Sequence, residues 1–240
     1  MRPTVEPRQP TPAAQTKTSI TLASASPRRQ ELLALTGWPI EVRAVRVDEE
    51  PEHGEDPRAL VKRLAQAKLR RALARGDDAP TILAADTIVV HDGQVLGKPA
   101  DEQEAQRMLL RLRGKSHQVF TALALVDAHW NAPIIELCET TVPMRDFADA
   151  EAEAYVRTGS PLDKAGAYGI QDGEFNPVAL DRMHGCYANV MGLPICHLVR
   201  AMRRLGHEPA ADVPAACQAH TGYVCDVFPS ILEGRMAEGV

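Results

Sequence analysis

Residues 81–93 read Thr81-Ile82-Leu83-Ala84-Ala85-Asp86-Thr87-Ile88-Val89-Val90-His91-Asp92-Gly93. Two short apolar runs, 81–85 and 88–91, have strand composition, and Asp92-Gly93 after them is a strong hairpin signal. Between the runs stands a carboxylate. An unpaired carboxylate in an apolar run is costly, so Asp86 must be paired, metal-bound, or at a strand end facing a cleft. Working outward, apolar runs and helical spacings alternate along the chain. Residues 20–24 and 39–45 read as strands, and residues 27–36 as a helix stopped by Gly37. The apolar positions Leu60, Val61, Leu64, Ala67 and Leu73 give an amphipathic helix over 57–75. A helix at 101–113, strands at 118–126 and 133–144, and helices at 149–158 and 194–205 complete the pattern. This alternation predicts an α/β fold with a mixed central sheet flanked by helices.

The chain has 240 residues, enough for one large domain or two small ones. Residues 1–18 carry four prolines and a net charge of +2, which predicts a disordered N-terminal tail. Residues 19–207 form the folded domain. Residues 208–240 are acidic and weakly periodic, and are expected to be a poorly structured C-terminal tail. A net charge of −5 argues against a sequence-blind nucleic-acid binder. No run of about 18 apolar residues occurs, so no membrane span is expected. Nor does the N-terminus show the apolar core of a secretion signal. The five cysteines are odd in number and lack CxxC spacing, which reads as reduced thiols. Cys217, His220 and Cys225 have no fourth metal ligand nearby and read as incidental.

Three stretches carry chemistry. In Ser24-Ala25-Ser26-Pro27-Arg28-Arg29, Ser26 is a good N-cap and Pro27 suits the first helical position. Two arginines in the same first turn oppose the helix dipole by a few tenths of a kcal/mol each, an arrangement that becomes favourable once an anion binds. Two solvated arginines on a helix face are the plainer alternative. Gly97-Lys98-Pro99 holds a cation in a stiff turn, Asp48-Glu49-Glu50 offers carboxylates, and Lys68 places an ammonium on the long helix. In Asp163-Lys164-Ala165-Gly166-Ala167-Tyr168-Gly169-Ile170-Gln171, the glycines permit close backbone approach, Lys164 is a cation, and Gln171 can both donate to and accept from a base edge. Several cations with two or three carboxylates suit a nucleoside triphosphate and a hard divalent metal. No GxxxxGK[ST] loop, kinase-type glycine loop, GxSxG or HExxH is present.

These blocks, together with Ala85-Asp86-Thr87 and Gly192-Leu193-Pro194, resemble the Maf family of nucleoside triphosphate pyrophosphatases over residues 21–206. The resemblance implies a nucleotide cleft in an inosine-triphosphatase-like fold and hydrolysis of the α–β phosphoanhydride. It also implies a divalent cation (Mg²⁺ or Mn²⁺), a cytoplasmic location and, often, a homodimer. Arg28, Thr87 and Gln171 match the branch acting on dTTP and UTP. Asp86 is then the catalytic group, as general base or metal ligand, and Glu49 helps to hold the metal. Ser24, Arg28, Arg29, Lys68, Lys98 and Lys164 contact phosphates, while Thr87 and Gln171 belong to the substrate site. Ala67 departs from the family, which usually has Glu before the helix lysine. Two rival readings are a nucleotide-binding regulator of cell division or septum formation without turnover, and a house-cleaning hydrolase of damaged nucleotides.

Overall fold

Within residues 81–91, Ile82, Ala84, Ile88 and Val90 share one strand face and bury against the apolar stripe that recurs with helical spacing along 57–74. The computed structural model describes residues 18–76, 80–128 and 132–235. The N-terminal tail expected over 1–18 therefore lies outside the described residues, apart from Thr18, whose hydroxyl pairs with His207 Nδ1 at 2.8 Å. In chain order the elements are β1 (Ile20–Leu22), α1 (Pro27–Ala34), β2 (Ile40–Val42), α2 (Pro57–Ala74), β3 (Thr81–His91), β4 (Gln94–Leu96), α3 (Glu102–Leu112), β5 (Ser116–Asp127), β6 (Ile134–Pro143), α4 (Asp149–Arg157), α5 (Tyr187–Met191), α6 (Ile195–Arg204), α7 (Val213–Thr221) and α8 (Phe228–Leu232).

The strands form one sheet in the order β2-β1-β3-β5-β6, with β4 folded back onto β3. β1 runs parallel to β2 and β3, and the β3–β4, β3–β5 and β5–β6 pairs are antiparallel, so the sheet is mixed as expected. The two runs expected around Asp86 are a single eleven-residue strand. Its alternation explains why. Ile82, Ala84, Ile88 and Val90 join the core under α2, whereas Leu83, Ala85 and Val89 join the core on the opposite face.

The sheet has a gap that makes the site. β1 pairs with β3 only as far as Leu22–Leu83, and β4 meets β3 only from Val89 onward. Between these points, residues 84–88 keep β5 as their strand neighbour on one side alone. Asp86 can therefore stand in mid-strand and still face a cleft. The chain leaving β1 turns through Ser24–Ser26 into α1 beside this gap, as ligand crevices commonly form beyond strand ends in α/β sheets.

Residues 208–240 correct the expectation of a poorly structured tail, as far as they are described. Asp212 caps α7 by accepting from Ala215 N at 3.1 Å, Pro214 sits in its first turn, and Gly222 ends it in the left-handed region. Val213, Tyr223 and Ile231 are buried in this segment. The Tyr223 hydroxyl donates to Met183 O at 2.6 Å, and Trp38 Nε1 donates to Glu208 O at 3.1 Å. All five cysteines are free thiols. Among the described residues, no helix is long and apolar enough to cross a membrane. Burying each large apolar side chain stabilises by about 1.5–3 kcal/mol. Deleting residues 208–240 should therefore lower the thermal midpoint by about 10 °C or more. An unchanged melting curve would show the segment to be an appendage.

Candidate active site

Lys68 decides the local structure. On α2 it lies four residues after Leu64 and four before Ala72, within the buried stripe that also holds Leu60. Leu73, by contrast, points outward and is exposed, so it is not part of that stripe. An ammonium placed among apolar side chains requires anions, and Lys68 has two. It contacts the Asp86 carboxylate from β3, and the Glu49 carboxylate from the loop before α2 at 2.6 Å. Lys68 is 8% exposed and Asp86 5%, whereas Glu49 is open to solvent. Burial raises the Asp86 pKa from its ordinary value, and the charges of Lys68 and Arg29 oppose that rise.

The next residue, Thr87, projects to the other face of the strand and meets Arg29. Three guanidinium nitrogens have separate protein partners: Nε donates to Gly192 O at 2.8 Å, Nη1 to Ser24 Oγ at 3.1 Å, and Nη2 to Thr87 Oγ1 at 3.0 Å. Thr87 pairs onward with Thr121 at 2.9 Å, and Thr121 donates to Asn189 O at 3.1 Å, which ties α5 to the sheet. Gly192 makes the arrangement possible. Its φ is +108°, and a Cβ there would sit 3.3 Å from Thr87 Oγ1 and 3.5 Å from Arg29 Nε.

A cavity of about 160 Å³ opens over these groups. Of the residues named from sequence, Arg28, Arg29, Glu49, Lys68, Asp86, Thr87, Lys98, Lys164 and Gln171 line it together. Ser24 does not. It is buried behind Arg29 as that residue's hydrogen-bond acceptor, and Ser26 takes the lining position instead. The lining carries five cations against the carboxylates of Glu49, Asp86 and Asp163, an excess of positive charge. Arg28 pairs with Asp163 at 3.3 Å. Lys164 donates to Ser160 O at 2.6 Å, Ser160 Oγ at 2.8 Å and Asp163 Oδ1 at 2.8 Å. Lys98 is exposed, with no ion-pair partner among the described residues. Its turn is pinned to the late loop by Gly166 N donating to Gly97 O at 3.1 Å.

Sequence reading missed Asp163, Asp172 and Tyr168. Asp163, next to Lys164 in the chain, joins Arg28 to the late loop. Asp172 bonds Tyr155, Ser160 and Gln171. Tyr168 lines the cavity and is anchored by His117 Nε2 at 2.7 Å. Burial lowers the His117 pKa to about 3, so this imidazole is neutral and serves as an anchor. The one signal for Asp172 was its place directly after Gln171.

Breaking a buried ion pair by removing one partner costs about 3–5 kcal/mol. Lys68→Met should therefore destabilise by about that amount in a denaturant titration, and adding Asp86→Asn should recover most of the loss. Simply additive losses would mean that the two groups do not depend on each other.

A dTTP/UTP pyrophosphatase of Geotalea uraniireducens (strain Rf4) is 45% identical over 192 residues, covering 80% of this chain and 97% of that protein. A dTTP/UTP pyrophosphatase of Dehalococcoides mccartyi (strain 195) is 44% identical over 190 residues, covering 79% and 84%. The solved structure of a nucleoside-triphosphatase / dITP/XTP pyrophosphatase from Mycobacterium abscessus spans 92% of this chain and all of its own, at 14% identity and a TM-score of 0.39. The family model described as Maf-like protein matches residues 19–205, and with these relatives it establishes that the chain belongs to the Maf-like protein family.

Proposed function

We propose that this protein is a nucleoside triphosphate pyrophosphatase that hydrolyses dTTP and UTP to the nucleoside monophosphate and pyrophosphate. The observation that carries this reading is Asp86: a buried carboxylate in the sheet gap, paired with Lys68, inside a cavity with an excess of cations. The names of the relatives give the substrate class. A protein that only bound nucleotides would need the cations alone. It would have no use for a buried carboxylate set among them at the floor of the cleft.

In this mechanism Asp86 takes a proton from water as the water oxygen bonds to the α-phosphorus. The α–β anhydride bond breaks, and pyrophosphate leaves with the electron pair. Pyrophosphate is a stable anion, so the departing oxygen needs little protonation. Lys98, which has no ion-pair partner to give up among the described residues, is placed to meet the triphosphate first. Arg28 and Lys164 exchange Asp163, and Lys68 exchanges the solvated Glu49, for phosphate oxygens. Arg29 supplies its charge from a fixed position, with Ser24 and Thr87 bracing it and Gly192 giving it room. Most of the rate gain is then positioning and electrostatic stabilisation of charge that spreads onto the phosphates.

The donor set fits a divalent cation in a restricted way. Glu49 and Asp86 already converge on one positive centre, the Lys68 ammonium, and both are hard oxygen donors. Among the described residues, no group of three or more His, Cys, Asp or Glu could hold a metal unaided. Glu49 and Asp86 would therefore hold Mg²⁺ or Mn²⁺ together with substrate phosphate oxygens and water. When bound, the ion would supply charge neutralisation on those oxygens.

Asp86→Asn keeps the volume of the side chain and removes its basicity. It should reduce pyrophosphate release from dTTP and UTP by about 10²–10⁴-fold, followed in a coupled phosphate assay with Mg²⁺ or Mn²⁺. A variant within a few-fold of wild type would remove Asp86 from the mechanism.

A further inference from the structure

We propose that Asp172 is a positioning residue that sets the base preference by fixing which way the Gln171 amide faces. This inference rests on the proposed pyrophosphatase reading. It begins with the two oxygens of one carboxylate. Asp172 Oδ2 accepts from the Tyr155 hydroxyl at 2.5 Å and from Ser160 Oγ at 2.9 Å, and lies 3.5 Å from Lys164 Nζ. Asp172 Oδ1 accepts from Gln171 Nε2 at 3.1 Å.

Both hydroxyls are committed as donors to Oδ2. The Tyr155 oxygen accepts from Gly169 N at 3.1 Å, and the Ser160 oxygen accepts from Lys164 Nζ at 2.8 Å. Their protons therefore point to Asp172, and the Tyr155 ring is held in place by stacking on Phe175 at 4.4 Å. The backbone makes room for the carboxylate: a Cβ on Gly169 would lie 2.7 Å from Asp172 Oδ1. The late loop is thus built around this side chain.

A carboxylate only accepts, so Gln171 must turn its NH₂ group toward Asp172. That leaves Gln171 Oε1 and one N–H for the cavity it lines. Uracil and thymine present an N3–H donor flanked by carbonyl acceptors, which this pair matches. Cytosine presents a bare N3 acceptor at the same position, and Oε1 would meet its lone pair. Asp172 thereby selects against cytosine without touching the base.

Asp172→Asn should reverse the choice. Three donors face the Oδ2 position, so the Asn oxygen takes that place and its NH₂ turns to Gln171. The Gln171 amide then flips, and its NH₂ group faces the cavity, opposed to uracil N3–H and able to donate to cytosine N3. The test is kcat/KM for UTP and CTP, measured by pyrophosphate release on the full chain. The UTP:CTP ratio should fall about tenfold or more in Asp172→Asn. Asp172→Ala, which frees the amide without reversing it, should fall in between and covers the case in which the Asn variant folds poorly. In a Gln171→Ala background, Asp172→Asn should leave the ratio within about twofold of that background.

Equal losses on UTP and CTP, with the ratio unchanged, would overturn the proposal and leave Asp172 a structural residue. A ratio that still shifts in the Gln171→Ala background would also overturn it, because Asp172 would then act by another route. Wild-type protein that releases pyrophosphate from no nucleoside triphosphate would instead overturn the pyrophosphatase reading, and this inference with it.

Discussion

A buried ammonium between two carboxylates is the constraint on which the rest of this structure depends. Lys68 occupies a position in α2 that its neighbours Leu64 and Ala72 give to the core. Charge at such a position is stable only if opposite charge comes to it, and Asp86 and Glu49 do so from β3 and the preceding loop. Replacing the buried pair, Lys68 and Asp86, with apolar residues of similar size would satisfy packing as well or better. Their presence is therefore best explained by chemistry, and the sheet gap beside Asp86 gives that chemistry an entrance.

The rest of the cavity divides into braces and free charges. Arg29 is a brace as much as a ligand, because Ser24, Thr87 and Gly192 all hold it. Lys98 is the contrasting case, an exposed cation on a turn pinned to the late loop. Between these extremes, Arg28 and Lys164 both pair with Asp163, a solvated partner whose loss costs little. A polyanion entering the cleft can displace such pairs without disturbing the sheet. The Asp86–Lys68 pair is desolvated and resists the same exchange.

Much of this was legible in the residues. The strand around Asp86, the capped start of α1 and the stiff turn at Lys98 all follow from local chemistry, and the structure brings their side chains to one cavity. The split of β3 into two runs failed because Asp86 and Thr87 were read as an interruption. Each is satisfied across a different face, so the strand continues through them. Ser24 stands apart for a related reason: its hydroxyl accepts from Arg29 behind the cavity lining, and only the path of Arg29 reveals that. The C-terminal helices were obscured by small and polar composition, although Asp212, Pro214 and Gly222 carry start and stop signals. Asp172 was beyond reach because its partners Tyr155 and Ser160 lie 17 and 12 positions away.

The role of Asp86 turns on which effect wins at its carboxyl, loss of water or the nearby cations. Carbon-13 NMR titration of the Asp86 carboxyl in the intact protein measures that directly, with the signal assigned through Asp86→Asn. Burial prevailing places the midpoint above the ordinary aspartate value of about 3.9. A midpoint at or below that value would mean that Lys68 and Arg29 dominate. Asp86 would then be a passive counter-ion and not a base.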